Sequence, residues 1–499
     1  MKLFSKTISI PLTLAVTLAG RFVLPAQNWQ TVDDFALGSS NAAAQGVATD
    51  AAGGIYVVGS ANGHGIVRYS ADDGSNWITR DDFVDPVTNN ALNAVIVDNQ
   101  GSVFVGGVSS GGYANAHWIV RRSADQGLTW QTVDDYWRPC QPPDQDGTNG
   151  TVNSLGSDGQ GRVFGGGPMG RSCCPCYNTW WVRGSLIGGT NWDDSLVMGS
   201  GYGRFGQIAC AGADVYANGR DDVNNGYGNN RHILKSNDHG ATWSTFFQST
   251  NELRTTIAGD PAGNLYFAGA GWNSSSNSIT WLMERTVPGG TNWATLDGSS
   301  PAVEPTVTEG QPNGAWIAVN SVAMDAAGNM AVAGVFIVGW DRYSGSTVTS
   351  GSDQAWVTGL YSATTGLWST SDQFSYSTNM HGSASGVALS PSGSLFSVGS
   401  GTSDSGQTRW LVRKLAAAFP PARPAPLLVN PHWQNGVFTV SVQTLAGKSY
   451  TLWFRNDCPT NALDNTWTGL PAVTGTGSML TFTDSTASVS QRFYRVSEQ

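Results

Sequence analysis

The chain has 499 residues, of which only 12% are charged, and its formal net charge is −10. Most of the acidity comes from aspartate, which favours turns because its side chain accepts hydrogen bonds from nearby backbone amides. The chain has no basic stripe of the kind that nucleic-acid binding requires, so we expect no nucleic-acid partner.

Residues 1–26 have the pattern of a secretory signal peptide. Lys2 and Lys6 precede a short apolar segment from Ile8 to Gly20, and small residues follow it, with a plausible cleavage position after Ala26. The apolar segment is short for a membrane span, and a retained N-terminal anchor is the alternative. We expect an exported protein that is secreted, bound to the cell surface or periplasmic, with no transmembrane span after cleavage.

From residue 28 onwards the chain repeats one unit. Seven tryptophans mark the repeat, at spacings between 48 and 75 residues: Trp29, Trp77, Trp130, Trp192, Trp243, Trp293 and Trp368. A unit of this size that is rich in β-type runs cannot bury its apolar face alone. The units must therefore stack on one another in a propeller, a solenoid or an array.

Each unit contains up to three motifs in a fixed order. The first is Asp-x-x-Gly between two β-type runs, as in residues 50–60 (DAAGGIYVVGS), which is typical of a hairpin. The second is a short aliphatic strand that often ends in arginine or lysine, as in residues 65–68 (GIVR).

The third motif is a turn, Ser-x-Asp-x-Gly-x-x-Trp. It is complete three times in the chain, with Ser70, Asp72, Gly74 and Trp77, then with Ser123, Asp125, Gly127 and Trp130, and again with Ser236, Asp238, Gly240 and Trp243. In this turn we expect the aspartate to cap amides, the glycine to adopt positive φ, and the tryptophan to pack against the neighbouring sheet.

The turn motif resembles the Asp-box of Asp-box propellers, which include sialidases, sortilin-type receptors and several glycoside hydrolases. The hairpin motif resembles the SBBP repeat of secreted bacterial propellers. Together the two resemblances cover roughly residues 28–415. They imply a β-propeller with four strands in each blade.

The two ends of the repeat region indicate how the propeller closes. The last unit lacks its fourth strand, whereas residues 28–35 have the sequence of such a strand without a unit of their own. Docking this strand onto the last unit would close a ring and cover both free edges. We therefore predict an all-β fold in which residues 27–416 form a seven-bladed β-propeller closed by the N-terminal strand.

The cysteines are concentrated in one part of the chain. Within 71 residues lie Cys140, Cys173, Cys174, Cys176 and Cys210. Disulfides are the default use of cysteine in an exported protein, so we expect these residues to staple a long insertion. A thiolate metal site is the alternative, but the spacing does not resemble paired Cys-x-x-Cys motifs. We expect no metal site and no cofactor, with structural calcium as the one exception to consider.

A second domain follows the repeats. Residues 417–428 are rich in proline and predict a stiff linker, and the alternating β-type runs of residues 429–499 predict a small β-sandwich. Gly447, Tyr450 and Leu452, with the segment 492–496 (RFYRV), resemble an immunoglobulin- or fibronectin-like module of secreted bacterial proteins. The resemblance implies attachment to a surface, carbohydrate binding or sorting.

Paired aspartates follow the marker tryptophan in several units, as in Asp33-Asp34, Asp81-Asp82 and Asp134-Asp135. Paired carboxylates can act as general acid and base or bind calcium. A catalytic pair should occur once, whereas this pair recurs in one outer strand after another. A structural role in the turn or the edge strand is the better interpretation.

A repeated scaffold without a singular reactive cluster favours a non-catalytic propeller that binds a glycan or protein ligand, because aromatic rings stack on sugars and supply rigid contact area. Candidate ligand-binding residues lie where the repeats differ: Trp137, Trp272, Trp340, Asp221 and Asp222. The alternatives are a glycoside hydrolase of the sialidase-like Asp-box type, whose Arg-Ile-Pro motif is absent, and a structural protein of the cell surface. No residue is assigned a catalytic role. Arginine, tyrosine and carboxylates converging on the central channel would indicate an enzyme, whereas serine, threonine and asparagine would indicate a binder.

Overall fold

A computed structural model describes residues 28–498 apart from 86–88, 112–115, 138–147, 172–173, 199–203, 222–229, 250–253, 261, 274–277, 287–289, 291, 297–310, 326, 345–346, 365, 377–380, 420–427, 445–447, 457–466 and 487–491. Every helix or strand assigned in these residues is a β-strand. None of the described residues belongs to a helix long and apolar enough to cross a membrane. The chain divides into two compact units, Met1–Phe419 and Pro420–Gln499.

In the described part of the first unit, strands β1 to β29 form seven antiparallel sheets. Sheet 1 contains β2 (Ala42–Thr49), β3 (Ile55–Ala61), β4 (His64–Ser70) and β5 (Ile78–Phe83). Sheet 2 contains β6 (Asn89–Val97), β7 (Val103–Ser110), β8 (Ala116–Ser123) and β9 (Gln131–Tyr136). Sheet 3 contains β10 (Thr148–Gly150), β11 (Ser154–Ser157), β12 (Val163–Arg171), β13 (Cys174–Leu186) and β14 (Thr190–Met198).

Sheets 4 to 7 repeat the pattern along the chain. Sheet 4 contains β15 (Arg204–Ala211), β16 (Asp214–Asp221), β17 (Asn230–Ser236) and β18 (Ser244–Ser249). Sheet 5 contains β19 (Arg254–Gly259), β20 (Leu265–Asn273), β21 (Ser278–Thr286) and β22 (Ala294–Thr295). Sheet 6 contains β23 (Gln311–Met324), β24 (Met330–Ser344), β25 (Thr347–Ser362) and β26 (Leu367–Phe374). Sheet 7 contains β27 (Gly382–Leu389), β28 (Leu395–Thr402), β29 (Thr408–Leu415) and β1 (Gln30–Phe35).

The order of strands gives every sheet two different ends. Consecutive strands are antiparallel neighbours, so the connection from first to second strand and that from third to fourth lie at the same end. We call this the turn end; in sheet 1 it carries residues 50–54 and 71–77. The opposite loop end carries the connections from second to third strand and those between sheets, such as residues 62–63 and 36–41.

The N-terminal strand completes the last sheet. Strand β1 pairs antiparallel with β29, with Gln30 opposite Lys414 and Phe35 opposite Trp410. The fourth strand of sheet 7 therefore comes from the start of the chain, as the two ends of the repeat region indicated.

Among the described residues, seven apolar clusters join consecutive sheets in a circular series. Between sheets 7 and 1, for example, Phe396 and Val398 pack with Ile55 and Val57, so the series returns to its beginning. Each marker tryptophan packs against a different cluster: Trp29, Trp77, Trp130, Trp192, Trp243, Trp293 and Trp368. The first unit thus has the sheet arrangement of a β-propeller.

The described residues of the second unit form two small sheets. One has β30 (Leu428–Gln434), β31 (Val437–Gln443) and β35 (Met479–Asp484), and the other has β32 (Ser449–Arg455), β33 (Thr468–Gly469), β34 (Val473–Thr474) and β36 (Phe493–Glu498). Val440 and Val442 of the first sheet share one core with Tyr450 and Leu452 of the second. The fully buried Asp484 accepts a hydrogen bond from Arg492 Nη1 at 2.6 Å and another from Tyr494 Oη at 2.9 Å, so this carboxylate is satisfied within the unit.

Candidate functional site

One cavity of about 430 Å³ is lined by all seven sheets of the first unit. The lining comprises residues 45–47, 93–96, 153–157, 207–210, 257–259, 320–322 and 385–387. These segments belong to, or directly precede, β2, β6, β11, β15, β19, β23 and β27. We call this cavity the central channel.

Bulges place polar side chains in the channel wall. The pairing register shifts by one residue at Gln45, Asn93, Asn320 and Ser385, which therefore have no partner on the second strand of their sheets. A β-bulge re-aims a side chain and bends its strand. The same one-residue bulge recurs in these four sheets, so the channel wall receives an amide or hydroxyl group from each of the four strands.

Several of these amides hold neighbouring sheets together. Asn93 Nδ2 donates to the carbonyl of Val152 at 3.0 Å, from sheet 2 to the segment that leads into β11. Asn320 Nδ2 donates to the carbonyl of Ala384 at 2.7 Å, from sheet 6 to sheet 7. Gln207 Nε2 donates to the carbonyl of Asn320 at 3.1 Å. These hydrogen bonds therefore orient the amide side chains of the channel wall in the absence of a ligand.

The channel wall has little capacity for acid–base chemistry. Among the described residues that line it, Cys210 is the only side chain that titrates; the others are amides, hydroxyls, glycine and aliphatic groups. Burial raises the pKa of the Cys210 thiol to about 12, so the reactive thiolate is scarce at neutral pH. General acid–base catalysis needs a group that titrates near the working pH. Within the described residues no group of three histidine, cysteine, aspartate or glutamate residues could hold a metal ion.

The position of Cys210 corrects one sequence prediction. Cys210 was expected to join a disulfide, but it is a free cysteine. It lies opposite Val215, close to the turn end of sheet 4, whereas Cys174 begins β13 at the loop end of sheet 3. A disulfide needs Cα atoms within roughly 7 Å of each other, so opposite ends of two strands cannot be bridged. The remaining candidates stay predictions: Cys140 and Cys173, which lie outside the described residues, and Cys174 and Cys176.

A second cavity, of about 340 Å³, lies beside the channel, and we call it the side cavity. Its walls come from sheets 4, 5 and 6: Phe205, Gly206, Gln207, Asn218, Gly219, Arg220, Arg231, Thr256, Val319 and Asn320. Arg220 is the penultimate residue of β16 and Arg231 is the second residue of β17. The two arginines therefore stand at the loop end. They bring positive charge to the side cavity, whereas the described wall of the channel carries amides, hydroxyls and aliphatic groups. Neither arginine is predicted from the sequence, because no motif surrounds either residue.

The four candidate ligand-binding residues that the structure describes are located towards the loop end, on four different sheets. Trp137 directly follows β9, Asp221 ends β16, Trp272 is penultimate in β20, and Trp340 lies in the last third of β24. The side chain of Trp137 is 36% exposed. Its ring stacks on His117, with centroids 5.2 Å apart and an interplanar angle of 4°. Asp222 lies outside the described residues.

The three complete turn motifs share two hydrogen bonds around their serine. In the first motif, Ser70 Oγ donates to Asp72 Oδ1 at 2.9 Å, and the amide of Gly74 donates to Ser70 Oγ at 2.9 Å. The same two bonds recur in the motifs that begin at Ser123 and Ser236. All three turns lie at the turn end, away from the candidate ligand-binding residues.

The motif glycines adopt the positive φ that the turn motif predicts. The angle is 85° at Gly74, 83° at Gly127 and 83° at Gly240. Glycine populates this left-handed region without the steric cost that a Cβ atom brings.

The motif tryptophans differ in their hydrogen bonds. Trp77 Nε1 donates to the carbonyl of Gly74 at 3.1 Å, and Trp130 Nε1 donates to the carbonyl of Gly127 at 3.0 Å. In the third motif, Trp243 Nε1 donates to Ser195 Oγ at 3.1 Å, and this hydroxyl donates to the carbonyl of Gly240 at 2.6 Å. A serine of sheet 3 thus stands between the indole and the glycine carbonyl, which the motif alone did not predict.

Hydrogen bonding also sets the ionisation of the turn aspartates. The side chain and amide four residues further on donate to each carboxylate, and these bonds hold the pKa of all three aspartates at about 2: Asp72, Asp125 and Asp238. A carboxylate that accepts several hydrogen bonds is stabilised in its charged form. These aspartates therefore have a structural role, as charged carboxylates that hold the turns together.

The paired aspartates join neighbouring sheets. Asp81 in β5 accepts hydrogen bonds from Arg121 Nε at 2.8 Å and Nη2 at 3.1 Å, across from sheet 1 to sheet 2. The same guanidinium lies 4.6 Å from the ring centre of Phe83. Equivalent pairs are Asp33 with Arg68, Asp134 with Arg183, and Asp372 with Arg413. We call these four contacts the arginine ladder.

Burial and ion pairing act in opposite directions on the ladder. Burial raises the pKa of Asp81, and the hydrogen bonds from Arg121 act against this shift. The second aspartate of the pair is more exposed and stays within its own sheet: Asp82 binds His64 Nδ1 at 2.7 Å. Both carboxylates thus have structural partners, and neither faces the channel.

No protein-family model matches the chain, and no curated protein sequence matches it. Similar solved structures are β-propellers. They include YCF48 bound to D1 peptide, with 13% identity over 79% of this chain and 98% of that chain and a TM-score of 0.42. A streptogramin B lyase has 11% identity over 78% and 99%, with a TM-score of 0.43. The GH93 alpha-L-arabinofuranosidase of Fusarium graminearum in complex with arabinobiose has 12% identity over 77% and 97%, with a TM-score of 0.39.

Proposed function

We propose that this protein is a secreted, non-catalytic, seven-bladed β-propeller of the Asp-box type that binds a glycan or protein ligand at the loop end of its sheets. The observation that carries the proposal is the chemistry of the central channel. Its described wall offers amides, hydroxyls and aliphatic groups around one protonated thiol, Cys210. Such a wall can bind a ligand through oriented polar groups, and it lacks the titratable groups that hydrolysis needs.

Several observations support the finer parts of this proposal. Seven sheets in the described residues, seven clusters in a circular series and the pairing of β1 with β29 support seven blades. The pattern of residues 1–26 supports secretion. Two small sheets with a shared core support a C-terminal β-sandwich. Its role in attachment or sorting rests on the resemblance of its sequence to a module of secreted bacterial proteins.

The loop end is the better binding surface, because the polar side chains of the motifs at the turn end already form hydrogen bonds within their own turns. The turn end carries repeated motifs whose serine and aspartate side chains bond to their own backbone. The loop end carries the connections in which the units differ, together with the exposed ring of Trp137. Binding residues concentrate on variable loops that a rigid scaffold positions.

A glycan array followed by isothermal titration calorimetry tests the proposal on the chain from residue 27 to 499. The variant Trp137→Ala should weaken the binding of an array hit by about tenfold, because an exposed aromatic ring is a typical anchor. Leu128→Ala is the matched control, since Leu128 is 64% exposed and lies at the turn end. Equal affinities for both variants would count against a loop-end site. An empty array together with an empty pull-down from the native surroundings would overturn the proposal.

Glycoside hydrolysis is the alternative that the same samples test. Hydrolysis requires two carboxyl groups on either side of the scissile bond. Glu284 is buried in β21 of sheet 5, at the position that arginine occupies in the ladder sheets, and is only 7% exposed. Recovery of the bound glycan without cleavage would support the binding protein, and release of reducing sugar would support the hydrolase. A structural protein of the cell surface would bind no array glycan and would fractionate with the envelope.

A further inference from the structure

We propose that the side cavity binds an acidic sugar through the sugar's carboxylate. This inference rests on the proposed loop-end function and narrows its ligand class. It starts from a row of arginines that crosses sheet 4: Arg204 is opposite Arg220, and Arg220 is opposite Arg231. Arg220 and Arg231 line the cavity.

This row is specific to sheet 4. The residue that corresponds to Arg220 in the other sheets is identified by the strand pairing, and it is uncharged in each of them: Ser60, Val108, Pro168, Ala270, Val335 and Ser400. Scaffold chemistry in this molecule repeats from sheet to sheet, as the turn motif and the arginine ladder do. A charged row that occurs in one sheet, beside a cavity, indicates a ligand contact.

Arg220 and Arg231 also stand directly opposite each other, on β16 and β17. Directly opposite residues of antiparallel strands have Cβ atoms roughly 5 Å apart, and like charges at this separation are destabilising. Arg220 and Arg231 do interact with other groups of the protein. A guanidinium nevertheless has several N–H donors in a planar fork that matches a carboxylate. A bound carboxylate would gain charge-assisted hydrogen bonds from this fork.

The rest of the cavity wall suits the hydroxyl groups of a sugar. Asn218 and Gln207 bring amides to the wall, and Asn320 brings another from sheet 6. The amide of Ile257 donates to Gln207 Oε1 at 3.1 Å, and Gln207 Nε2 donates to the carbonyl of Asn320 at 3.1 Å, so this side chain is fixed in place. Amides both donate and accept, which matches hydroxyls. A cavity of about 340 Å³ is near the lower end for ligand pockets, which favours a compact ring over an extended peptide.

The test compares a charged sugar with its neutral ester by calorimetry on the mature protein. The probes are trigalacturonate, its methyl ester and a short glutamate peptide. Trigalacturonate should bind at least about tenfold more tightly than the ester, because the ester lacks the charge that the guanidinium groups bind. Arg220→Gln should weaken trigalacturonate about 10- to 100-fold and leave the affinity for the ester unchanged. Arg231→Lys, which keeps the charge but loses the fork, should give a smaller loss.

Arg162→Gln is the matched control, because it removes an arginine from the hairpin at the turn end and should leave the affinity unchanged. Circular dichroism and thermal unfolding show that each variant is folded. If Arg220→Gln fails to fold, the comparison of acid and ester on the unmodified protein decides the question.

Equal affinity for acid and ester would overturn the acidic-sugar site, as would an Arg220→Gln variant with normal affinity for trigalacturonate or tighter binding of the glutamate peptide. The proposed function would survive these results if a neutral glycan or a protein ligand still binds at the loop end. It would fail separately if the array and the pull-down are both empty.

Discussion

The arginine ladder offers the sharpest prediction of a single change that weakens the contact between two sheets. The substitution Asp81→Ala removes a carboxylate whose side chain is 10% exposed and which receives two hydrogen bonds from Arg121. The stranded guanidinium keeps its hydrogen bond to Thr132 Oγ1 at 3.1 Å and its contact with Phe83. Removing one partner of a buried ion pair costs about 3–5 kcal/mol. Because the remaining contacts retain part of the environment, we expect a loss of about 3 kcal/mol.

Equilibrium unfolding in urea, followed by tryptophan fluorescence, measures this loss. Asp82→Ala is the matched control, because Asp82 is the next residue along the strand and its side chain is 50% exposed. Its loss should stay below about 1 kcal/mol, as for other surface pairs. Equal losses for Asp81→Ala and Asp82→Ala would refute the structural role of the ladder.

A double variant separates the ion pair from simple packing. Asp81→Leu with Arg121→Met replaces both charges by apolar groups, and we expect its stability within about 1 kcal/mol of the unmodified protein. Apolar residues already stand at the aspartate position in two sheets: Leu196 is opposite Val182 in sheet 3 and Phe247 is opposite Ile233 in sheet 4, as Asp81 is opposite Val67 in sheet 1. A double variant as unstable as Asp81→Ala would contradict the view that the stranded charge causes the loss.

Three further predictions concern the turns and the closure of the first unit. The pKa of Asp125 is about 2, below its usual value of 3.8. The carboxylate therefore stabilises the fold fully above about pH 4 and loses this effect as the pH falls towards 2. Asp125→Asn should reduce the drop in the urea midpoint over that range. Gly74→Ala should cost about 1–3 kcal/mol more than Gly101→Ala in thermal unfolding, because both have φ above 80° but only at Gly74 would the new Cβ approach Phe396 Cε1, at 2.8 Å. Equal losses would contradict the contact. Deleting residues 28–35 should lower the urea midpoint, because the deletion exposes the edge of β29. The same segment added as a peptide should restore part of the lost stability. An unchanged midpoint would contradict the closure of the first unit by β1.

The sequence predicted the scaffold well because its motifs are local. The turn from Ser70 to Trp77 is recognisable within eight residues, and the unpaired strand at residues 28–35 indicated its own partner. The partner of Asp81 could not be found in this way, because Arg121 is 40 residues away and on the next sheet. Only the packing of consecutive sheets brings the two together.

The candidate site was harder to predict because it depends on strand direction and register. Cys210 lies near other cysteines in sequence, but its strand carries it to the turn end, where it remains a free thiol. Arg220 and Arg231 carry no recognisable motif, and they become neighbours only through the pairing of β16 and β17. A cross-strand row leaves no pattern along the chain, so the sequence alone does not predict it.

The most direct test of a non-catalytic binding protein is to follow binding and cleavage in the same sample. The best glycan from the array is titrated into the mature protein by calorimetry, and the mixture is then analysed by mass spectrometry after prolonged incubation. We predict saturable binding with the glycan recovered intact, because the described channel wall has no group suited to acid–base catalysis. Cleavage products that increase with protein concentration and disappear in Glu284→Ala or Asp222→Ala would contradict this account.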